Sequence, residues 1–186
     1  CGSDRVVFEE PPEAWLGRTV DNKYEVVSVL GTGGMGMVFE ARRTLIGDLI
    51  ALKVLFPRLL ESTLQRKLFR DEAVAAARLS HSNVVTVFDT ELSPESGTAY
   101  IAMELLRGHT LKEPLREEAP MSPERLSPIA LEICAGLSAA HHAQIIHRDL
   151  KPDNIFLEST DSGYRVKLVD FGIAAMLDGE DGTGAR

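Results

Sequence analysis

The sequence predicts an α+β fold in which a small antiparallel sheet with one helix is followed by a mainly helical part. Runs of β-branched and aromatic residues alternate with turn residues between positions 24 and 56, which is typical of an antiparallel meander. Apolar residues recur at helical spacing between positions 122 and 142. Hydrophobic residues make up 44% of the 186 residues and charged residues 26%, which is the composition of a globular domain.

The first half of the chain is expected to hold the sheet. Residues 1–22 are polar and irregular, and we interpret them as a loosely packed leader that is held by Trp15 and Leu16. The elements expected after this leader are strands that begin near 24, 38 and 49, a helix over 63–79, and strands over 84–88 and 100–103.

One long helix dominates the second half. It is predicted to run from Ser122, a good N-cap residue, to about His142, with Pro123 at its first position. Its apolar stripe predicts that Cys134 lies in the core. The stripe consists of Leu126, Ile129, Ala130, Ile133, Cys134 and Leu137. Short strands are expected over 155–157 and 166–169.

The charge balance and the cysteine count disfavour several classes of protein. With 20 basic and 28 acidic residues the net charge is −8, which argues against a general nucleic-acid binder. The two cysteines provide no disulfide framework and predict a reducing, cytoplasmic compartment. No apolar run approaches the ~20 residues that a membrane-spanning helix needs.

A glycine-rich turn, Gly31-Thr32-Gly33-Gly34-Met35-Gly36-Met37-Val38, joins the first two strands. Because glycine has no Cβ, such a turn lets backbone N–H groups approach a phosphate chain closely. A dinucleotide-binding turn would need a helix after the third glycine, whereas Val38 and Phe39 begin a strand pattern. The motif therefore fits a hairpin that covers a nucleotide or a plain hairpin turn, and alone it does not decide between them.

A lysine interrupts the third apolar strand, in the stretch Ala51-Leu52-Lys53-Val54. An ammonium group among apolar residues is costly unless it is paired, and Glu72 on the following helix is a candidate partner. A surface lysine on an edge strand is the alternative, and it is the simpler interpretation of this motif alone.

Two polar motifs follow the long helix. In His147-Arg148-Asp149-Leu150-Lys151-Pro152-Asp153-Asn154, the Asp149 carboxylate could accept a proton, Lys151 could neutralise a phosphoryl group and Asn154 could hold a metal. Asp170-Phe171-Gly172 follows the next strand, where a carboxylate is well placed to bind a hard cation such as Mg²⁺. A solvated turn is the alternative interpretation of the first motif, and a strand-end turn is the alternative interpretation of the second.

Taken together, in this order and on these elements, the four motifs resemble the signature set of the eukaryotic-like serine/threonine protein kinases. The stretches Gly33-Gly34-Met35-Gly36 and His81-Ser82-Asn83-Val84-Val85 are most similar to the bacterial members. The resemblance covers about residues 24–186 and implies transfer of the γ-phosphoryl group of Mg-ATP to Ser or Thr hydroxyls of proteins. The implied organisation is a leader over 1–22, an N-lobe over 23–103, a hinge over 104–108 and a partial C-lobe over 109–186 that ends in the activation loop.

The resemblance also assigns roles to individual residues. Lys53 would contact the ATP phosphates and pair with Glu72, while Asp149 would accept the proton of the substrate hydroxyl. The implied catalytic residues are Lys53, Glu72, Asp149 and Lys151, and the implied magnesium ligands are Asn154 and Asp170. The residues it places around ATP are Leu30, Gly31, Thr32, Gly33, Gly34, Met35, Gly36, Met37, Val38, Ala51, Lys53, Met103, Glu104, Leu106 and Phe156.

The chain departs from the family pattern in places. Phe156 is bulkier than the aliphatic residue expected beneath the adenine, and Ser82 replaces a proline. The sequence ends soon after Gly172, so the later helices of the C-lobe are missing from it. Without them we expect incomplete burial of Ile129, Ile133 and Leu137 and a poorly stable fragment.

The partners implied by the resemblance are protein substrates that carry Ser or Thr, together with a kinase–kinase dimer for activation. No nucleic acid is expected, and the chain contains no membrane segment. Two other functions stay open: a nucleotide-binding or interaction module without turnover, and a fragment of a dinucleotide-dependent oxidoreductase. The strand pattern after Gly36 disfavours the oxidoreductase.

Overall fold

A six-stranded antiparallel sheet forms the first part of the molecule. The computed structural model describes residues 10–92 and 98–171, except the side chains of Glu72, Ala73 and Ala75. The strands of this first sheet are β1 (Thr19–Val20), β2 (Tyr24–Gly33), β3 (Gly36–Arg43), β4 (Leu49–Leu55), β5 (Val87–Leu92) and β6 (Ala99–Met103). Their order across the sheet is β1-β2-β3-β4-β6-β5, so β4 is a central strand.

The helix α1 (Thr63–Arg78) packs beside this sheet. A capping box starts it: the Ser62 side chain accepts from the Gln65 N–H, and the Gln65 side chain accepts from the Ser62 N–H. Phe69 is buried in a core that it shares with β4 and β6. The helix predicted over 63–79 is therefore present, and it packs on the face of the sheet that carries this core.

The second part of the molecule combines helices with a three-stranded antiparallel sheet in the order β7-β8-β9. Its elements are β7 (Gly108–Thr110), α2 (Lys112–Glu117), α3 (Pro123–His142), β8 (Ile155–Thr160) and β9 (Gly163–Leu168). Short 3-10 helices cover Pro12–Trp15, Pro57–Leu60 and Pro152–Asn154. This arrangement confirms the α+β fold class.

The strand predicted over 84–88 is displaced along the chain. The structure has β5 at Val87–Leu92, and Val84 forms an isolated parallel bridge with Leu168 of β9. Val85 N–H donates to Leu168 O at 3.0 Å, and Val84 is buried in the core of the second part. Val84 and Val85 are buried where the two parts of the molecule meet, and they do not belong to the first sheet.

The helix α3 begins after Ser122 as predicted, but the burial of its apolar stripe differs from expectation. Ile129 is only 1% exposed, so it is not left uncovered, whereas Ile133 and Leu137 are partly buried. Cys134 is exposed, which corrects its predicted place in the core. The described residues cover one side of α3, and Leu131 on another side is 72% exposed.

The leader packs more specifically than expected. The Trp15 ring stacks on Phe39 of β3 with centroids 5.8 Å apart, and the Arg18 guanidinium lies over the Trp15 ring, 5.7 Å from its centroid. Gly17 N–H donates to Val26 O at 2.9 Å and so attaches the leader to β2. Leu16, the second predicted anchor, is 46% exposed and does not share this role.

Within residues 10–92 and 98–171, none of the helices has the length and apolar character that crossing a membrane requires.

Candidate active site

The glycine-rich turn is a hairpin between β2 and β3. Gly33 pairs with Gly36 at its end, and β3 starts at Gly36 without an intervening helix. The oxidoreductase interpretation is therefore wrong, because its phosphate site needs a helix at this position. Phe56 N–H donates to Met35 O at 3.0 Å, and Arg58 Nη2 donates to Gly34 O at 2.9 Å.

The glycines of this hairpin have different reasons for lacking a side chain. A Cβ on Gly36 would lie 2.1 Å from Val54 O, so the packing of β3 on β4 itself requires glycine there. No neighbouring atom lies within 4 Å of a Cβ placed on Gly31, Gly33 or Gly34, and none of the three has a left-handed φ. Neither packing nor backbone conformation requires glycine at these three positions.

Lys53 lies on β4 and is only 4% exposed. Its Nζ donates to Asp170 Oδ1 at 2.7 Å, across 117 positions of the sequence. The edge-strand alternative is wrong, because β4 is central and the ammonium group is buried and paired. Glu72 lies on α1, but its side chain is outside the described residues, so the predicted Lys53–Glu72 pair stays a prediction.

The loop before β8 gathers the predicted catalytic side chains. Lys151 Nζ donates to Asp149 Oδ2 at 2.7 Å, and Asn154 Nδ2 donates to Asp149 O at 2.8 Å and to Oδ2 at 3.0 Å. The hydrogen bond from Lys151 is the largest cause that lowers the pKa of Asp149 below its ordinary value. Asp149 is therefore an ionised carboxylate near neutral pH, fixed by two neighbours of the same loop.

A buried histidine joins this loop to the end of β9. His147 is 3% exposed, its Nε2 lies 3.0 Å from Val169 O, and its ring packs on Phe171 with centroids 4.5 Å apart. Val169 N–H also donates to Asn154 O at 3.1 Å. Burial lowers the pKa of His147, so the ring is neutral near pH 7. The solvated-turn alternative is wrong for the motif before β8, because His147 and Asn154 are buried.

Several apolar residues that were predicted to surround ATP lie at the core between the first sheet and α1. Ala51 and Met103 belong to that core, and Val38 and Leu106 pack against it. The other predicted positions differ in their surroundings. Leu30 is exposed on β2 and Phe156 is partly buried on β8. Thr32 is exposed on the hairpin, and the Met37 side chain lies in the core of the opposite sheet face.

A second buried lysine was missed by sequence reasoning. Lys167 on β9 is buried, and its Nζ donates to Glu104 Oε1 at 2.7 Å. Glu104 Oε1 also accepts from Thr86 N–H at 2.7 Å, so the segment after β6 is tied to β9 through one carboxylate. The signal was present in Val166-Lys167-Leu168, where a lysine interrupts an apolar strand as Lys53 does.

Comparison with known families matches this geometry. The sequence model described as the protein kinase domain matches residues 24–183. A probable serine/threonine-protein kinase PknB of Corynebacterium glutamicum is 42% identical over 168 residues, which are 89% of this chain and 25% of that protein. Serine/threonine-protein kinase pkn3 of Myxococcus xanthus is 40% identical over 170 residues, which are 91% of this chain and 31% of that protein.

The fold is also similar to a solved kinase domain. The crystal structure of the PknI kinase domain of Mycobacterium tuberculosis superimposes with a TM-score of 0.75 and 31% identity. The match covers 86% of this chain and 61% of that domain. The chain thus spans between a quarter and a third of the length of the two curated relatives named above.

Proposed function

Because the chain belongs to the protein kinase family, we propose that it carries the nucleotide site of a kinase that transfers the γ-phosphoryl group of ATP to Ser or Thr hydroxyls of proteins. In this proposal residues 23–103 form the N-lobe, 104–108 the hinge and 109–186 the part of the C-lobe that holds the catalytic loop. The expectation that the chain is a fragment of a longer kinase is a prediction of the same proposal.

One observation carries the proposal: an ion pair between a buried lysine and a partly exposed aspartate. Lys53 Nζ and Asp170 Oδ1 are 2.7 Å apart and come from the two parts of the molecule. Such a pair is weak support for stability, because desolvation of the lysine offsets much of the Coulomb attraction. A role in binding a charged ligand explains its position better, since a cation and a carboxylate of the kind that binds hard cations are held side by side.

The residues present fit Mg-ATP. The open space above Gly31, Gly33 and Gly34 leaves room for a phosphate chain, whose charge Lys53 would partly neutralise. The Asp170 carboxylate and the Asn154 side-chain oxygen are the hard oxygen donors that Mg²⁺ prefers. When bound, the cation would supply charge neutralisation at the phosphates.

The chain's own side chains account for the remaining steps. Asp149, ionised and fixed by Lys151 and Asn154, would accept the proton of the attacking hydroxyl. Lys151, with a pKa raised mainly by its hydrogen bond to Asp149, stays cationic and would face the charge of the transferred group. Together these residues supply positioning and charge neutralisation, which phosphoryl transfer needs more than covalent chemistry.

The test is Lys53→Met in the whole protein that carries this sequence. We expect phosphate transfer from radiolabelled ATP to a generic protein substrate to fall by about 10²-fold or more, because a preorganised cation is lost. Lys23→Met is the matched control: Lys23 also pairs with carboxylates, Asp89 and Glu91, but at the β1–β2 turn. Unchanged transfer in Lys53→Met would refute the assignment. A parent protein that binds ATP without transfer would be a binding module instead.

Three further expectations accompany this proposal. The substrates are proteins with Ser or Thr, which phosphopeptide mapping after reaction would identify. A kinase–kinase dimer would appear in sedimentation velocity as a second species at higher concentration. Action in a reducing, cytoplasmic compartment rests on the sequence prediction from the two cysteines.

A further inference from the structure

The tip of the glycine hairpin is held by an arginine from outside the motifs. Arg58 Nη2 donates to Gly34 O at 2.9 Å, and the two residues are 24 positions apart. Gly34 is exposed, and no neighbouring atom would meet a Cβ placed on it. The carbonyl contact therefore holds a segment that is otherwise open to solvent.

Arg58 lies on a short helix that is anchored in the core by its neighbouring residues. It belongs to the 3-10 helix Pro57–Leu60, in which Leu59 and Leu60 are buried. Its guanidinium lies 4.8 Å from the ring centroid of Phe56, which is also buried. A cation over an aromatic face is attracted by the ring quadrupole, so the side chain is oriented before it reaches the hairpin.

The same 3-10 helix is hydrogen-bonded to α1. Arg66 Nε of α1 donates to Leu60 O at 2.8 Å, at the end of the 3-10 helix. A continuous series of contacts therefore runs from α1 through Leu60 and Arg58 to Gly34. The helix α1 also carries Glu72, the predicted partner of Lys53. The series of contacts therefore links the helix that carries Glu72 to the glycine hairpin.

Such an attachment reduces the entropic cost of ordering a glycine-rich hairpin. Glycine loses more conformational freedom on ordering than any other residue, so a loop with four glycines is costly to fix over a ligand. A contact that orders the loop in advance reduces that cost when the ligand binds.

We propose that Arg58 is a positioning residue that holds the glycine hairpin over the nucleotide and couples it to α1. The expected effect of Arg58 on ATP binding rests on the proposed kinase function, whereas its expected effect on the order of the hairpin does not. Arg58 does not touch the reacting atoms in this account, and it acts through the Gly34 carbonyl.

The experiment compares Arg58→Gln with Arg42→Gln in the whole protein. Arg42 is a matched control, because it is also exposed and donates to a glycine carbonyl at a hairpin tip, Gly47 O, at 3.4 Å. We expect Arg58→Gln to raise the KM for ATP between about two- and tenfold, which corresponds to the net free energy of one hydrogen bond. The change in kcat should be less than about twofold. Arg58→Lys, which keeps a cationic donor, should restore part of the affinity.

A second measurement does not depend on ATP. Hydrogen exchange of the amides from Gly31 to Val38, in the absence of nucleotide, should be faster in Arg58→Gln than in the parent and unchanged in Arg42→Gln. Equal exchange and equal KM in the two variants would overturn the proposal. A parent protein that neither binds ATP nor transfers phosphate would refute the proposed function, and the exchange comparison would still decide whether Arg58 holds the hairpin.

Discussion

The two glycines that face each other in the glycine hairpin should respond differently to the same substitution. Gly36→Ala would place a Cβ 2.1 Å from Val54 O and 3.0 Å from Leu55 Cα. Gly36 pairs with Leu55 at the end of the β3–β4 ladder, and backbone atoms cannot rotate away as a side chain can. The strands would have to separate by roughly 1 Å at this point to reach an ordinary contact.

The cost of that separation can be estimated from related overpacking substitutions. They destabilise proteins by about 1–3 kcal/mol. For a chain of this size about 1 kcal/mol corresponds to about 2–4 °C, so we expect Tm to fall by about 2–12 °C in Gly36→Ala.

Gly33→Ala is the matched comparison on the facing strand of the hairpin. No neighbouring atom lies within 4 Å of its Cβ, and its φ is not left-handed, so we expect Tm to stay the same or rise slightly. The new methyl group would instead occupy the space assigned to the phosphates. ATP affinity should therefore fall by about tenfold, the value of one hydrogen bond to a charged group.

Thermal unfolding of the whole protein, without and with Mg-ATP, separates these two effects. Gly36→Ala should melt earlier in both conditions, whereas Gly33→Ala should lose only the stabilisation that ATP provides. The reasoning would be refuted if Gly33→Ala lowered Tm without ligand as much as Gly36→Ala, or if Gly36→Ala melted like the parent.

Two other predictions concern polar groups of the second part of the molecule. Because burial lowers the pKa of His147 below its ordinary 6.5, the unfolded chain binds more protons below that pH, and the free energy of unfolding should decrease as pH falls from about 6.5. Urea unfolding at about pH 7.5 and about pH 5.5 tests this, and His147→Gln should reduce the difference, whereas an equal difference in both proteins would contradict it. Glu132 Oε2 accepts from Asn83 Nδ2 and from Val166 N–H, both at 2.8 Å. Glu132→Ala should cost about 1–3 kcal/mol in urea unfolding and Glu132→Gln clearly less, because the amide keeps an acceptor. Equal losses in these two variants would exclude the hydrogen bonds as the cause.

Local patterns predicted the parts of the site that depend on neighbouring residues in the sequence. The glycine hairpin, the lysine within an apolar strand and the polar loop between α3 and β8 were all visible as departures from an apolar period. Their meaning depended on contacts between distant positions. Taken alone, the motif around Lys53 fits a surface lysine. The structure shows instead that its ammonium group pairs with Asp170, 117 positions away.

Other features could not be predicted because tertiary partners decide them. Cys134 lies on the apolar stripe of α3, but the described residues pack on only one side of that helix. Val84 resembles a strand residue, but it bridges to Leu168 instead of joining the first sheet. Arg58 lies in no motif, and its role is inferred from its contact with Gly34 O.

The leader changes where the folding unit begins. The family match starts at residue 24, yet Trp15 already stacks on Phe39, and Val26 exchanges backbone hydrogen bonds with Gly17 and Arg18. A chain trimmed to the family boundary would uncover an aromatic ring in the sheet core and leave two backbone groups of β2 without their partners. The evolutionary boundary and the physical boundary of this domain therefore differ, and the physical one lies at least nine residues earlier, at or before Trp15.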